Sequence, residues 1–209
     1  MLNIAIGKGR LADIAMEKLN AIGIDFPEYS KKSRKLIFKS KEDAVRLVFV
    51  KASDVDIYVE KGACDIGICG KDTLSENMPD VYEMMDLGFG KCKFAVAAMK
   101  DFSKNLDKKM IVATKYVNVA KSYFEQKGEP IEIIKINGSV ELAPLMGLSD
   151  VIVDIVETGT TLKENGLVVI EEIGDVSARL IVNKASLKTK NKEIQSIIKK
   201  IEDQLQNEE

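Results

Sequence analysis

The chain contains no histidine and no tryptophan, and only three cysteines and four prolines in 209 residues. Without histidine there is no Ser-His-Asp or Cys-His catalysis, no histidine-ligated zinc and no imidazole base. Chemistry has to run on carboxylates, lysine, arginine, backbone donors and Mg²⁺, a set suited to reactions on phosphates. Cys64, Cys69 and Cys92 are odd in number and form no CxxC pair, which argues against a disulfide framework or structural zinc. Cys64 and Cys69 flank an apolar strand and read as inert buried thiols. No apolar run approaches the length of a membrane span, and Met1 to Ile4 enters a strand pattern without a basic leader or cleavage site. The expectation is a cytoplasmic protein with no membrane partner. A net charge of -2 and a pI near 5.5 leave no basic footprint for nucleic acid.

What is present is a soluble, globular composition, 45% hydrophobic and 31% charged. The length fits one large domain or two small lobes. Leu2 to Gly7 reads as a short buried strand ending in Gly7-Lys8-Gly9-Arg10. Apolar residues at helical spacing follow from Leu11 to Ile22, and Gly23 stops the helix. Arg34 to Lys39 and Arg46 to Val50 read as strands. Ser53 is the expected N-cap of a helix to Lys61, and Asp65 to Gly70 is a strand leading into Lys71-Asp72 at a helix start. This alternation predicts parallel α/β packing.

Further strands are expected over Val81 to Phe89, Lys91 to Met99, Met110 to Ala113, Ile131 to Ile136, Leu167 to Ile173 and Ala178 to Val182. Helices are expected over Val117 to Lys127, Val140 to Met146 and Lys190 to Glu209, the last with Ile194, Ile197, Ile198, Ile201 and Leu205 on one face. No Pro- or Gly-rich linker interrupts the chain, so two lobes would be joined by strands. The expected division is residues 1–90 plus 180–209 for the first lobe and 91–179 for the second. A cleft between such lobes would be a natural small-molecule site.

The most informative segment runs from Val151 to Leu162. A β-branched run ends with Asp154 near its carboxyl end, and Thr158-Gly159-Thr160-Thr161 opens a short helix closed by Gly166. Backbone N–H groups, hydroxyls and the positive end of a helix dipole converge there, which makes a phosphate cradle. An acid just upstream can reach the hydroxyls of a sugar whose phosphate sits in the turn, so the pairing suggests a phosphoribosyl group. The alternative is an ordinary strand–turn–helix with a Thr-rich cap.

Extended back to Glu141, this segment resembles the signature of ATP phosphoribosyltransferase, the family that opens histidine biosynthesis. Gly7 to Arg10, Ser33 to Phe38, Asp54 to Glu60, Gly67 to Asp72 and Ala113 to Tyr116 fit the same family in collinear order. The resemblance implies a two-lobed α/β fold like that of periplasmic binding proteins, with a cleft between the lobes. It implies transfer of phosphoribosyl from phosphoribosyl pyrophosphate to N1 of ATP, releasing pyrophosphate with Mg²⁺ assistance. The length matches the short form, which works as a hetero-oligomer with a regulatory subunit resembling histidyl-tRNA synthetase. A homodimer within that assembly is expected, and the chain alone should be insensitive to histidine. A purine or orotate phosphoribosyltransferase is the competing enzyme, but those generally carry two adjacent acids where Asp154 is followed by Ile155. A solute-binding protein of the same fold is the competing non-enzyme.

On this resemblance, Asp154, Thr158, Gly159, Thr160 and Thr161 hold the phosphoribosyl donor. Glu157 faces the same turn or is solvated. Glu141 contacts ribose or metal, or is a helix-start carboxylate favoured by the dipole. Arg10 and Arg34 suit the departing pyrophosphate, because arginine binds phosphate oxygens bidentately and stays charged. Lys8 and Lys35 support them or are plain surface lysines. Lys8 and Gly9, with Asp54, Gly70, Lys71 and Asp72, are expected to contact ATP, with Asp54 as a helix cap the alternative. The metal ligands stay unassigned. Lys51 departs from the arginine usual in the family, keeping the charge but losing the fork. N1 of adenine attacks without a strong base, so a histidine-free chain is compatible with the reaction.

Overall fold

The computed structural model describes residues 1–30, 32–105 and 107–207. Two compact units emerge: Met1–Leu74, Met78–Gly90 and the chain from Ser177 onward form the first, and Ser75–Asn77 with Lys91–Val176 the second.

The first unit begins with β1 (Leu2–Gly7), α1 (Arg10–Ala21), β2 (Ile37–Lys39) and β3 (Val45–Val50). A 3-10 turn at Ala52–Asp54 leads to α2 (Val55–Glu60), β4 (Ile66–Gly70), α3 (Lys71–Asn77) and β5 (Tyr82–Asp86). The second unit contains β6 (Cys92–Met99), β7 (Met110–Thr114), α4 (Val117–Gln126), β8 (Ile131–Lys135), α5 (Leu142–Leu145), β9 (Val151–Val156), α6 (Thr160–Glu164) and β10 (Leu167–Val176). The chain then returns to the first unit as β11 (Ala178–Val182), α7 (Lys184–Thr189) and α8 (Asn191–Gln206).

The first sheet has the order β2-β3-β1-β4-β11-β5, and β1 lies parallel to both β3 and β4. Its central strands are apolar on both faces because helices cover both. On one face α1 and α8 bury Ala15, Leu19, Ile194 and Ile198 against Ile4, Leu47 and Leu180. On the other, α2 and α3 bury Val55, Val59 and Leu74 against Ala5, Cys69 and Ile181. The isoleucine face read from the sequence of α8 is therefore the face that packs, as Ile194, Ile197, Ile198 and Ile201 are all buried.

The second sheet has the order β10-β6-β9-β7-β8, with β7, β8 and β9 parallel and β6 antiparallel to its neighbours. Ile152, Ala143 of α5 and Leu162 of α6 share one cluster, which fixes both short helices on the same face of β9.

Several local expectations change. Ser53 does not cap α2: it sits in the 3-10 turn, and its hydroxyl donates to Asp54 Oδ1 at 2.7 Å. Arg34 to Leu36 stay outside β2, although the Leu36 carbonyl still accepts the Phe49 N–H at 2.8 Å. The helix expected from Lys190 forms as α8, with Lys190 itself at the N-cap position, and it is preceded by α7, a helix the periodicity did not reveal. Asn183 caps α7, its Oδ1 accepting the Ser186 N–H at 2.9 Å. The strand expected from Leu167 to Ile173 continues to Val176, with two register shifts against β6. Glu208 and Glu209 of the expected last helix lie outside the described residues.

Candidate functional site

Strand direction gathers the first group of candidates. β1, β3 and β4 are adjacent and parallel, so the residues after Gly7, Val50 and Gly70 emerge at one edge of the sheet. That edge carries Lys8, Gly9 and Arg10, then Lys51 and Asp54, then Lys71 and Asp72. Such carboxyl ends are where open α/β sheets bind ligands. β2 runs antiparallel to β3, and residues 34 and 35, just before it, lie at the same edge.

Close backbone approach holds this edge together. A Cβ on Gly7 would lie 2.6 Å from the Ala52 Cα, so only glycine lets β1 meet the 3-10 turn. Lys8 N–H donates to the Val50 carbonyl at 3.1 Å, joining the same two loops. A Cβ on Gly70 would lie 2.0 Å from Asp72 Oδ1, so the Asp72 carboxylate folds back over the end of β4. Asp54 makes no side-chain cap to α2.

A cavity of about 250 Å³ opens beside Lys8 and Gly9, lined also by Asp13, Ser33, Lys35 and Phe49. Tyr29 stacks on Phe49 at 5.5 Å between ring centroids, and Phe38 packs edge-on to both. Lys35 is paired with Glu28, whose carboxyl the ammonium holds below the ordinary range. A larger cavity, about 690 Å³, lies at the opposite edge around Met1, Lys41, Glu42 and Lys200. It has mixed charge and contains none of the expected residues.

The second group lies on the second unit. β9 carries Ile152, Asp154 and Val156 on one face by strand alternation. Asp154 is half-buried, and its Oδ1 accepts the Ile155 N–H at 2.9 Å. Glu157 and Thr158 are exposed in the turn. Gly159 follows at φ 72°, ψ 4°, a left-handed conformation that reverses the chain into α6. The Thr158 and Thr160 hydroxyls lie 3.0 Å apart, and α6 starts at Thr160. Gly159 at the N-cap offers no side chain, and the Thr158 hydroxyl accepts the Thr160 N–H at 3.4 Å. The first N–H groups of α6 have no acceptor within the helix, since the ladder begins with Lys163 N–H to the Gly159 carbonyl at 3.0 Å.

Glu141 is half-buried immediately before α5, whose Ala143 packs in the same cluster as Leu162 of α6. The structure thus brings Glu141 and the Asp154–Thr161 turn to one face of one sheet. Thr114, for which the sequence supplied no role, is fully buried; its hydroxyl donates to the Val153 carbonyl at 2.6 Å and accepts the Tyr116 N–H at 2.8 Å. It fixes the end of β7 beside β9.

Sequence reading missed one ionic group at the edge of the first sheet: Glu83, Asp86 and Arg179 alongside Lys71. Its only local signal was an arginine inside the apolar run Ala178 to Val182. Burial pushes up the Cys69 thiol beneath that group, helped by the charges of Asp56, Asp72 and Glu83. Burial first, then the Asp65 charge, raises Cys64 to about 11. Both thiols are therefore protonated and inert at neutral pH.

The fold is α/β in two units, with a Thr-rich turn at a helix start on one and a lysine-bearing strand edge on the other. The chain belongs to the ATP phosphoribosyltransferase family: the HisG family profile, described as ATP phosphoribosyltransferase, matches residues 51–203. An ATP phosphoribosyltransferase of Brachyspira hyodysenteriae is 54% identical over 206 residues, covering 98% of this chain and 100% of that protein. One from Bacillus cereus is 54% identical over 204 residues, covering 98% and 97%. Among solved structures, the ATP phosphoribosyl transferase (HisG:HisZ) complex from Thermotoga maritima matches with a TM-score of 0.85 and 36% identity, covering 97% of this chain and 98% of that one. The periplasmic aliphatic sulphonate binding protein SsuA from Escherichia coli matches at a TM-score of 0.62 with 13% identity, covering 96% and 70%, and shares the fold alone.

Proposed function

We propose that this chain transfers the phosphoribosyl group of phosphoribosyl pyrophosphate to N1 of ATP, giving phosphoribosyl-ATP and pyrophosphate at the first step of histidine biosynthesis. Family membership over the whole chain carries the reaction. The observation that supports the donor's place is the β9–turn–α6 unit, with its left-handed Gly159, two facing threonine hydroxyls and upstream Asp154.

In this reading the 5′-phosphate rests on the Thr158, Thr160 and Thr161 hydroxyls and the first N–H groups of α6. Asp154 takes ribose hydroxyls, and Glu141 and Glu157 bound the same pocket. The N1 lone pair forms the bond to the anomeric carbon as the bond to pyrophosphate breaks, and the electron pair leaves with pyrophosphate. The ring cation then discharges by losing an amino proton from N6 to solvent. Arg10 and Arg34 take the charge growing on the leaving group, where paired guanidinium donors act most strongly. Lys8, Gly9, Asp54, Gly70, Lys71 and Asp72 contact ATP.

For Mg²⁺, the donor set is informative: among the described residues no three Asp, Glu or Cys side chains group as a metal cage. Mg²⁺ is commonly held by one or two carboxylates plus substrate phosphates and water, and these residues fit that mode. When bound, it would neutralise pyrophosphate charge, and Asp154 or Glu141 would be the protein carboxylates to hold it.

The Thermotoga neighbour is a HisG:HisZ complex. That likeness supports a hetero-oligomer with a HisZ-type regulatory subunit; a homodimer within that assembly, and a regulatory subunit resembling histidyl-tRNA synthetase, follow from the family reading. Among the described residues no helix is long and apolar enough to cross a membrane, and a cytoplasmic location is part of this reading.

The test is an ultraviolet assay for phosphoribosyl-ATP from ATP, phosphoribosyl pyrophosphate and Mg²⁺, with pyrophosphatase added. Product that disappears in Asp154→Ala supports both the reaction and the donor turn. No product, with or without a regulatory subunit, would overturn it.

A further inference from the structure

The missed ionic group is an alternating lattice. Lys71 Nζ lies 2.6 Å from Glu83 Oε2. The other Glu83 oxygen, Oε1, lies 3.4 Å from Arg179 Nη1, and Arg179 Nη2 lies 3.0 Å from Asp86 Oδ2. Asp86 Oδ1 in turn accepts the Ser177 hydroxyl at 2.8 Å and the Gly88 N–H at 2.9 Å. Cation, anion, cation and anion thus run from α3 across β5 and β11.

The two ends of this lattice are not equivalent. Glu83 has two cations, so departure of Lys71 would leave it paired with Arg179. The Lys71 and Glu83 side chains are 34% and 32% exposed, so water re-solvates both when the bond opens. Arg179 is more deeply held, and its Nε is buried with no acceptor among the described residues. A side chain kept only for packing would not carry that cost. Lys71, meanwhile, is the first residue of α3 at the ligand edge of β4. Its ammonium is a compact charge on a flexible stem, able to move between anions.

We propose that Lys71 is a switchable phosphate ligand: Glu83 holds its ammonium until a nucleotide phosphate takes it, and Arg179 then balances Glu83. This rests on the reading that ATP binds the edge of the first unit. Glu83 is accordingly a competitor of the nucleotide for Lys71, and Arg179 a positioning residue.

The experiment is calorimetric titration of ATP and of adenosine into the full-length chain and its variants. Glu83→Gln keeps the shape and removes the competing charge, so ATP binding should tighten about 2- to 5-fold while adenosine binding stays unchanged. Lys71→Ala should weaken ATP binding, and Glu83→Gln added to it should change nothing further. A purely structural role would not produce that dependence on Lys71. Glu83→Asp, one methylene short, should give an intermediate gain and serves if the glutamine variant folds poorly. Unchanged or weaker ATP binding in both Glu83 variants, or tightening that persists without Lys71, would overturn the proposal. A wild-type chain that makes phosphoribosyl-ATP but shows no Glu83 effect sinks this inference alone; one that neither binds ATP nor makes product sinks the functional reading with it.

Discussion

Lys190 Nζ lies 2.8 Å from Asp65 Oδ1 and 2.9 Å from Oδ2, tying the start of α8 to the residue that opens β4. Asp65 is buried and also accepts the Asn3 N–H at 2.8 Å and the Ser186 hydroxyl at 2.7 Å. One carboxylate thereby joins β1, β4, α7 and α8.

Asp65→Asn should cost about 2 kcal/mol, less than a fully buried pair because Lys190 is partly solvated. Burial of Asp65 opposes its charge, but Lys190, Asn3 and Ser186 outweigh that and hold its pKa below the ordinary value. The folded pKa is thus below the unfolded one, so the stabilisation is complete above the unfolded value and is lost as pH falls through the folded one. Urea unfolding at pH 7 and at about pH 3.5 should show a larger loss for wild type than for Asp65→Asn.

Gly159→Ala tests the turn without removing a donor. The nearest atom to an added Cβ is Val156 Cγ1 at 3.8 Å, so space is available and the penalty comes from φ 72°. A penalty of about 1–2 kcal/mol is expected. The variant should stay folded while its KM for phosphoribosyl pyrophosphate rises about tenfold and its KM for ATP does not. An equal rise in both constants would mean that the turn does not hold the donor.

Gly7→Ala tests the other edge by a different mechanism. Its Cβ would meet backbone rather than a movable side chain, since Ala52 Cα stands at 2.6 Å. Overpacking there should lower stability by about 1–3 kcal/mol, seen as a reduced thermal midpoint.

Removing Arg34 should act on the chemical step. Arg34→Ala should lower kcat about 10²- to 10³-fold, as for loss of one donor to developing charge. Arg34→Lys should recover only part, because an ammonium lacks the bidentate fork. Full recovery by lysine would reduce Arg34 to a general positive charge.

Chelation separates catalysis from folding. With no three-residue cage among the described side chains, EDTA should abolish product formation yet leave the thermal midpoint of the substrate-free chain unchanged. A midpoint that falls with EDTA would reveal a structural metal instead.

Local signals carried far in this chain where they coincided. Val151 to Leu162 gives strand, turn and helix by β-branching, a glycine and threonines in order, and the structure forms all three. The isoleucine stripe of α8 likewise packs as its spacing requires. Failures occurred where tertiary partners decided. Ser53 looks like a cap, yet the contact of the 3-10 turn with Gly7 places it one residue before the N-cap position, which Asp54 takes. Helix α7 has little apolar periodicity and rests on Asn183, whose Nδ2 also donates to the Val59 carbonyl at 2.8 Å.

The sequence alone determined the family resemblance and the strand–turn–helix of Val151 to Leu162, because each is written in residues near one another. Only the tertiary structure decided the strand order β2-β3-β1-β4-β11-β5. That order sets Lys8, Lys51 and Lys71 along one edge, and it delivers Arg179 to Glu83 from the far end of the chain. The physical reason is that apolar burial fixes which faces pack but not which strands become neighbours. Neighbours follow from long-range backbone pairing and close approaches such as Gly7 to Ala52, which no short window of sequence contains.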